Sequence, residues 1–311
     1  MIHYLKHIHI DKDRWDDCIS KSVNRRIYAF SWYLDLVCPG WEALVDDDYI
    51  RVFPLTGNRK WMIDYLYQPF FAQQLGVFSP EPLTEITVNG FIRAIPSKFR
   101  FVETHLNDQN NFSMIQGDST PRLNHVLDLS LTYEQLVAGY AQNTRRNLRK
   151  AIEMRVSPGR MVRPDELISL FRENFGNREG KLKASNYGTI NRIINHGVAN
   201  KTGHIMGVFS ESGLLSAAAF FLSDQHRVYF LFAASSPGAR ENGAMFLLID
   251  RFIAGNANNR LILDFEGGND PNLGRFYKSF GAVEVMYPAI RINRLPWMVD
   301  KALYFTHKLR Q

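Results

Sequence analysis

Hydrophobic and polar positions follow two different periods along this chain. Through the first 130 residues, short runs rich in aromatic and β-branched side chains recur at Ile8–Ile10, Tyr49–Leu55, Trp61–Tyr67, Phe91-Ile92 and Phe99–Glu103. Each predicts a strand. Asp11–Ser22 and Tyr28–Cys38 instead space their apolar residues as short helices do, and Pro39-Gly40 stops the second. Asn107–Asn124 is polar and carries Gly117 and Pro121, so the internal boundary is placed here, giving expected units of residues 1–125 and 126–311.

The second half reads more clearly. His125–Leu131 alternates as a strand, and Thr132 opens a helix expected to run to about Met154. Helices follow over Pro164–Phe175 and Asn186–His196. Gly203–Ser210 and Leu214–Leu222, joined by Glu211-Ser212-Gly213, predict a hairpin, and Arg227–Ala234 adds a third antiparallel strand. Gly238–Gly255 reads as a loop entering an apolar helix, Leu261–Glu266 as a buried strand, and Leu273–Phe280 as a helix ended by Gly281. A strand over Val283–Ile292 and a helix from about Trp297 complete the pattern, which is mixed α/β.

Composition narrows the classes. The chain has 311 residues, 45% of them hydrophobic and 22% charged, which provides a substantial core and excludes a disordered or charge-driven filament. Its longest apolar stretch is far shorter than the roughly 18 residues of a membrane-spanning helix, and the N-terminus lacks a signal-peptide pattern, so a cytoplasmic protein without membrane insertion is expected. Two cysteines, Cys18 and Cys38, make neither a disulfide framework nor a four-cysteine zinc site. His7 and His9 share a face without a third ligand, so no metal is expected. A net charge of +6 permits anionic partners without requiring them. No G-x-S-x-G, Walker A or H-E-x-x-H segment occurs, which removes serine hydrolases, P-loop NTPases and zincins.

Four segments carry candidate chemistry. In Arg240-Glu241-Asn242-Gly243-Ala244-Met245, a glycine at a helix start lets backbone N–H groups approach a phosphate. In the strand Leu261–Glu266, Asp264 and Glu266 fall on one face and are expected to meet at the sheet's end; Tyr277 and Lys278 follow on a helix. On the helix Val137–Met154, Arg145, Arg146, Arg149 and Lys150 share the face opposite Val137, Tyr140, Leu148 and Ala151, as a phosphate-bearing ligand requires, or as a solvated surface does. Asp64–Phe71, with Tyr67 and Gln68, reads either as the wall of an acceptor pocket or as core packing.

The order hairpin, strand, glycine loop, helix, strand, helix, strand over residues 203–292 resembles the GNAT acyltransferase superfamily. The tail from Leu261 through Gly267-Gly268 to Phe276-Tyr277-Lys278-Ser279-Phe280-Gly281-Ala282, with Arg145-Arg146-Asn147-Leu148-Arg149-Lys150-Ala151 between the halves, is similar to its FemABX-like branch. That resemblance implies tandem GNAT-like units, each a mixed, mostly antiparallel sheet flanked by helices, the first unit degenerate. It implies transfer of an acyl group to an amine, from acetyl-CoA or another acyl-CoA, or else from aminoacyl-tRNA. A small-molecule or peptidoglycan-precursor-like amine is the implied acceptor. Arg240, Gly243 and Ala244 would hold the donor's phosphates. Backbone N–H groups of Phe232–Ala234 would hold the oxyanion, Glu266 would accept the proton, and Tyr277 or Lys278 would assist the leaving group. Tyr67, Gln68, Arg145 and Arg149 would face substrate. Met245 departs from the small residue of the phosphate loop, which favours the tRNA donor; a non-catalytic GNAT-like binding module is the alternative from another class.

Overall fold

A computed structural model describes residues 1–112, 117–175 and 182–296. The helix expected from Trp297 lies outside them. Contacts divide the chain into two compact units, residues 1–122 together with the chain from Tyr287, and residues 123–286.

The first unit opens with β1 (Ile2–Leu5), so the strand expected at Ile8–Ile10 is displaced toward the N-terminus, and His7–His9 form a single 3₁₀ turn. Helix α1 (Lys12–Lys21) starts where the Asp11 carboxylate accepts the Arg14 N–H at 3.1 Å, and it buries Trp15, Cys18 and Ile19. After α2 (Ser31–Val37), strands β2 (Glu42–Asp46) and β3 (Arg51–Leu55) complete an antiparallel sheet in the order β1-β2-β3. Strands β4 (Gly57–Lys60) and β5 (Ile63–Leu66) form a hairpin whose register, Lys60 opposite Ile63, leaves Trp61-Met62 as a two-residue turn. Both turn residues are left-handed, with φ of 49° and 64°, in a turn that ordinarily takes Asn-Gly. Each costs about 1–2 kcal/mol of strain.

Phe91-Ile92, expected as a strand, lies instead in α3 (Glu85–Ala94). Capping by Thr84 starts that helix, and Val88, Phe91 and Ile92 then fall on one buried stripe. Two adjacent apolar residues read as a strand only until the third, one turn away, is counted. Strand β6 (Phe99–His105) runs parallel to β5.

The chain enters the second unit along β7 (Asp118–Asp128). The long helix expected from Thr132 is two, α4 (Tyr133–Ala138) and α5 (Gln142–Glu153). The break is held from a distance: the Ala141 N–H and the Thr144 hydroxyl both donate to the Ser279 carbonyl, at 2.9 and 2.8 Å. After β8 (Ser157–Pro158), α6 (Pro164–Phe175) and α7 (Ala184–Ala199), the antiparallel meander β9 (Gly203–Phe209), β10 (Leu215–Ser223) and β11 (Arg227–Ser235) forms as expected. Then come α8 (Ala239–Asn242), α9 (Ala244–Asn256), β12 (Ile262–Asp264), α10 (Pro271–Lys278) and β13 (Val283–Asn293). Strand β12 lies between β7, antiparallel, and β11, parallel, and the sheet continues β11-β10-β9-β8. From Ala289 onward β13 pairs antiparallel with β6, back in the first unit. The second unit's core is aromatic: Phe221 stacks on Phe252 of α9 with centroids 3.8 Å apart, and Phe230, Phe265, Tyr277 and Phe280 pack in the same cluster.

Candidate functional site

Strands β11 and β12 stay together only briefly. Their parallel register covers Arg227–Tyr229 against Ile262–Asp264 and ends there. On its other edge β11 carries a bulge: Phe221 faces Phe230 and Phe220 faces Phe232, so Leu231 is the inserted residue. A bulge bends and twists its strand and re-aims the side chains beyond it. Phe232 packs against Phe171 of α6 at 4.5 Å, while Ala233 turns toward the core that α9 covers. The segment Phe230–Ser235, which holds Phe232 and Ala234, therefore runs on beyond the end of β12.

At that end the two carboxylates have different fates. Asp264 is fully buried, paired with Arg227 at 2.6 Å, and accepts from the Asn124 amide at 2.8 Å and from the Glu266 N–H at 2.9 Å. Every one of these contacts is internal, so Asp264 organises the strand end rather than facing a ligand. Glu266 does not share its face as strand periodicity predicts, because β12 stops at Asp264 and Glu266 adopts φ 53°. Its carboxylate is half-buried, and its charge is one of the influences on Tyr277.

Tyr277 is 7% exposed and stacks on Phe265 at 4.7 Å. Burial first, then the negative charges of Glu266 and Asp270, push its hydroxyl well above the usual tyrosine range, so it stays protonated at neutral pH. Lys278, the next residue, faces the other way: it is exposed and pairs with Glu284 at 3.2 Å. Sequence reasoning missed His125. Its ring is completely buried; because a carbonyl only accepts, Nδ1 carries the proton it donates to Gly267 at 2.8 Å, and Nε2 has no hydrogen-bond partner and lies 3.7 Å from Glu284. The signal was the concentration of Gly267, Gly268 and Gly274, which leaves room for one bulky buried ring.

The loop expected to hold phosphate sits between α8 and α9. Arg240 is in α8, and its side chain lies outside what the structure describes. Gly243 has φ 69°, and a Cβ there would meet the Asn147 carbonyl of α5 at under 3.0 Å, so its lack of a side chain serves the close approach of α5 to α9. The first amide of α9, that of Ala244, is already satisfied by the Asn242 side-chain carbonyl at 3.0 Å. On α5, Arg145 folds back onto the carbonyls of Val137, Ala138 and Tyr140 at 3.0–3.1 Å and caps α4. Arg149 and Lys150 are exposed and make no hydrogen bond or ion pair among the described residues.

In the first unit, Gln68 is committed to backbone. Its amide donates to the Ala72 carbonyl and its oxygen accepts the His105 N–H at 2.8 Å. Tyr67 is half-buried beside Cys38, and burial raises both its hydroxyl and that thiol, the latter to about 11. His105 is pushed down to about 4, chiefly by burial and then by the charge of Arg122.

Among the described residues no three His, Cys, Asp or Glu side chains cluster as metal ligands, and no helix is long and apolar enough to cross a membrane.

A mixed sheet with parallel central strands that part at a bulged strand, a helix starting beyond it and an aromatic helix closing the far side together define a GNAT-like fold of the FemABX type. Solved structures agree. FemX aligns with 99% of this chain and 100% of its own at 13% identity, with a TM-score of 0.63. L-PGS from Bacillus licheniformis aligns over 97% and 98% at 8% identity and 0.54. The C-terminal domain assigned to a lysylphosphatidylglycerol synthetase of Agrobacterium fabrum aligns over 95% of both chains at 10% identity and 0.54. No protein-family profile and no curated protein sequence matches the chain.

Proposed function

We propose that this protein transfers an acyl or aminoacyl group from an activated donor to an amine acceptor, a small molecule or a peptidoglycan-precursor-like amine. The carrying observation is the parting of β11 and β12 at the Leu231 bulge, with Glu266 and Tyr277 at the end of β12. A neutral amine attacks the donor carbonyl, forming the C–N bond. Backbone N–H groups along Phe232–Ala234 take the oxyanion, Glu266 accepts the amine proton, and the bond to the leaving oxygen or sulfur breaks as that atom is protonated. Tyr277, held neutral by burial, is the donor of that proton. Lys278, exposed and paired with Glu284, leaves the leaving-group role to Tyr277.

Aminoacyl-tRNA is favoured over acyl-CoA as donor. The Ala244 amide that a pyrophosphate would use is taken by Asn242, and Gly243 makes room for α5. Arg149 and Lys150 stand exposed for a nucleic-acid backbone. The similarity to a domain named for lysylphosphatidylglycerol synthesis, an aminoacyl ester, points the same way. Calorimetry with acetyl-CoA and with a hydrolysis-resistant aminoacyl-tRNA separates the donors: tRNA binding weakened by Arg149→Ala/Lys150→Ala supports this reading, and acetyl-CoA binding alone returns it to the thioester. Glu266→Gln and Tyr277→Phe are each expected to lower kcat by about 10²–10⁴ with donor affinity kept. Affinity without turnover in the wild type, with any donor, would leave a binding protein.

A further inference from the structure

The Trp61-Met62 turn is an odd use of sequence. A two-residue hairpin turn with both residues left-handed takes Asn-Gly with least strain, yet here two of the largest apolar side chains occupy it, 63% and 84% exposed. Neither packs into the unit's core. The strain therefore holds an apolar wedge in solvent.

Strand register places cations around it. Lys60 faces Ile63, Asp64 faces Phe99, and Phe101 faces Asn293, so Arg59, Lys60, Lys98, Arg100 and Arg294 all lie toward the sheet end that carries the turn. Arg59 is answered by Asp64 at 3.5 Å and Lys98 by Glu42 at 2.7 Å. Lys60 and Arg100 are exposed and have no ion pair among the described residues, and the Lys60 ammonium sits 4.6 Å over the Trp61 ring, whereas the Arg294 guanidinium donates to the Ile95, Pro96 and Phe99 carbonyls at 3.1–3.3 Å. Arg100 and Arg294 are close enough that their like charges oppose each other.

We propose that the β4–β5 turn and these cations form a docking surface for an anionic lipid bilayer. Trp61 sits at the headgroup level, Met62 enters the acyl boundary, and the exposed Lys60 and Arg100 meet lipid phosphates. The chemistry favours a bilayer over single-stranded nucleic acid, because Met62, half of the wedge, has no ring for a base to stack on. This surface is independent of the transfer reaction.

The test is sedimentation of the full chain with vesicles of phosphatidylglycerol mixed into phosphatidylcholine, and with phosphatidylcholine alone. Wild type is expected to partition onto the anionic vesicles at least roughly tenfold better, with loss at high salt. Trp61→Asn/Met62→Gly installs the low-strain turn, so it is expected to raise Tm while lowering vesicle binding roughly tenfold. Lys60→Glu/Arg100→Glu is expected to abolish the anionic preference with the wedge intact. No binding by the wild type, equal binding to both vesicle types, or binding unchanged in the Asn-Gly variant overturns the proposal. So does capture of single-stranded RNA in place of vesicles.

Discussion

The His125 ring occupies the space that a side chain at Gly268 would need: a Cβ there would lie within 3.0 Å of both Nδ1 and Cε1. A fully buried imidazole has nowhere to move, and Gly268 itself has φ 151°. Gly268→Ala is therefore expected to lower stability by about 2–4 kcal/mol. In a His125→Ala background the same change should cost measurably less, because the ring it strikes is gone. Urea denaturation of the four proteins checks this, and strictly additive midpoints would sink it.

Gly243→Ala separates packing from phosphate binding. Left-handed φ and the Asn147 carbonyl both oppose a methyl group, so a loss of about 2–4 kcal/mol is expected, with donor affinity per folded molecule unchanged. Lost affinity at wild-type Tm would instead support a phosphate on that loop.

His105 gives the first unit an acid sensitivity. Its folded value, about 4, lies below the ordinary 6.5, so the unfolded chain binds the proton first and stability falls as pH drops from 6.5 toward 4. A difference of that size amounts to about 3 kcal/mol. Replacing His105 with Gln should flatten denaturation midpoints across that interval relative to wild type.

Asp250 slopes the other way. Burial raises its carboxyl above the ordinary 3.8, although the hydroxyls of Tyr133 and Tyr140 donate to it at 2.9 and 3.1 Å. Its folded state holds the proton more tightly, so this contribution is fully present below the ordinary value and is lost as pH rises past the folded one. Asp250→Asn should gain stability on wild type as pH rises from about 4. Parallel pH profiles for the two proteins would count against it.

What the sequence reveals follows the range of the interactions. The meander β9–β11 and helix α6 are legible because alternation, the Glu211-Ser212-Gly213 turn and Pro164 act within a few residues. The α4–α5 break depends on Ser279, more than a hundred residues away, so helical periodicity runs straight through it. Displacing α5 from that wheel turned Arg145 from an expected substrate contact into a cap. Tyr277 and Glu266 are candidates that the motif singles out, and the expectation that Glu266 shares a face with Asp264 fails at the left-handed Glu266. The Leu231 bulge and the buried His125 have almost no local signature, since each exists only once a second segment is paired or packed.

The pairing of β6 with β13 also has a consequence in time. Phe101–His105 takes its partner from Ala289–Asn293, which leaves the ribosome more than 180 residues later. At roughly 5–20 residues per second, β6 waits about 10–40 s with that edge unpaired, while every strand of the second unit's meander has already been made. A nascent chain of this protein is thus exposed to wrong pairing for longest at β6, and a chaperone that shields one strand of it has most to gain there.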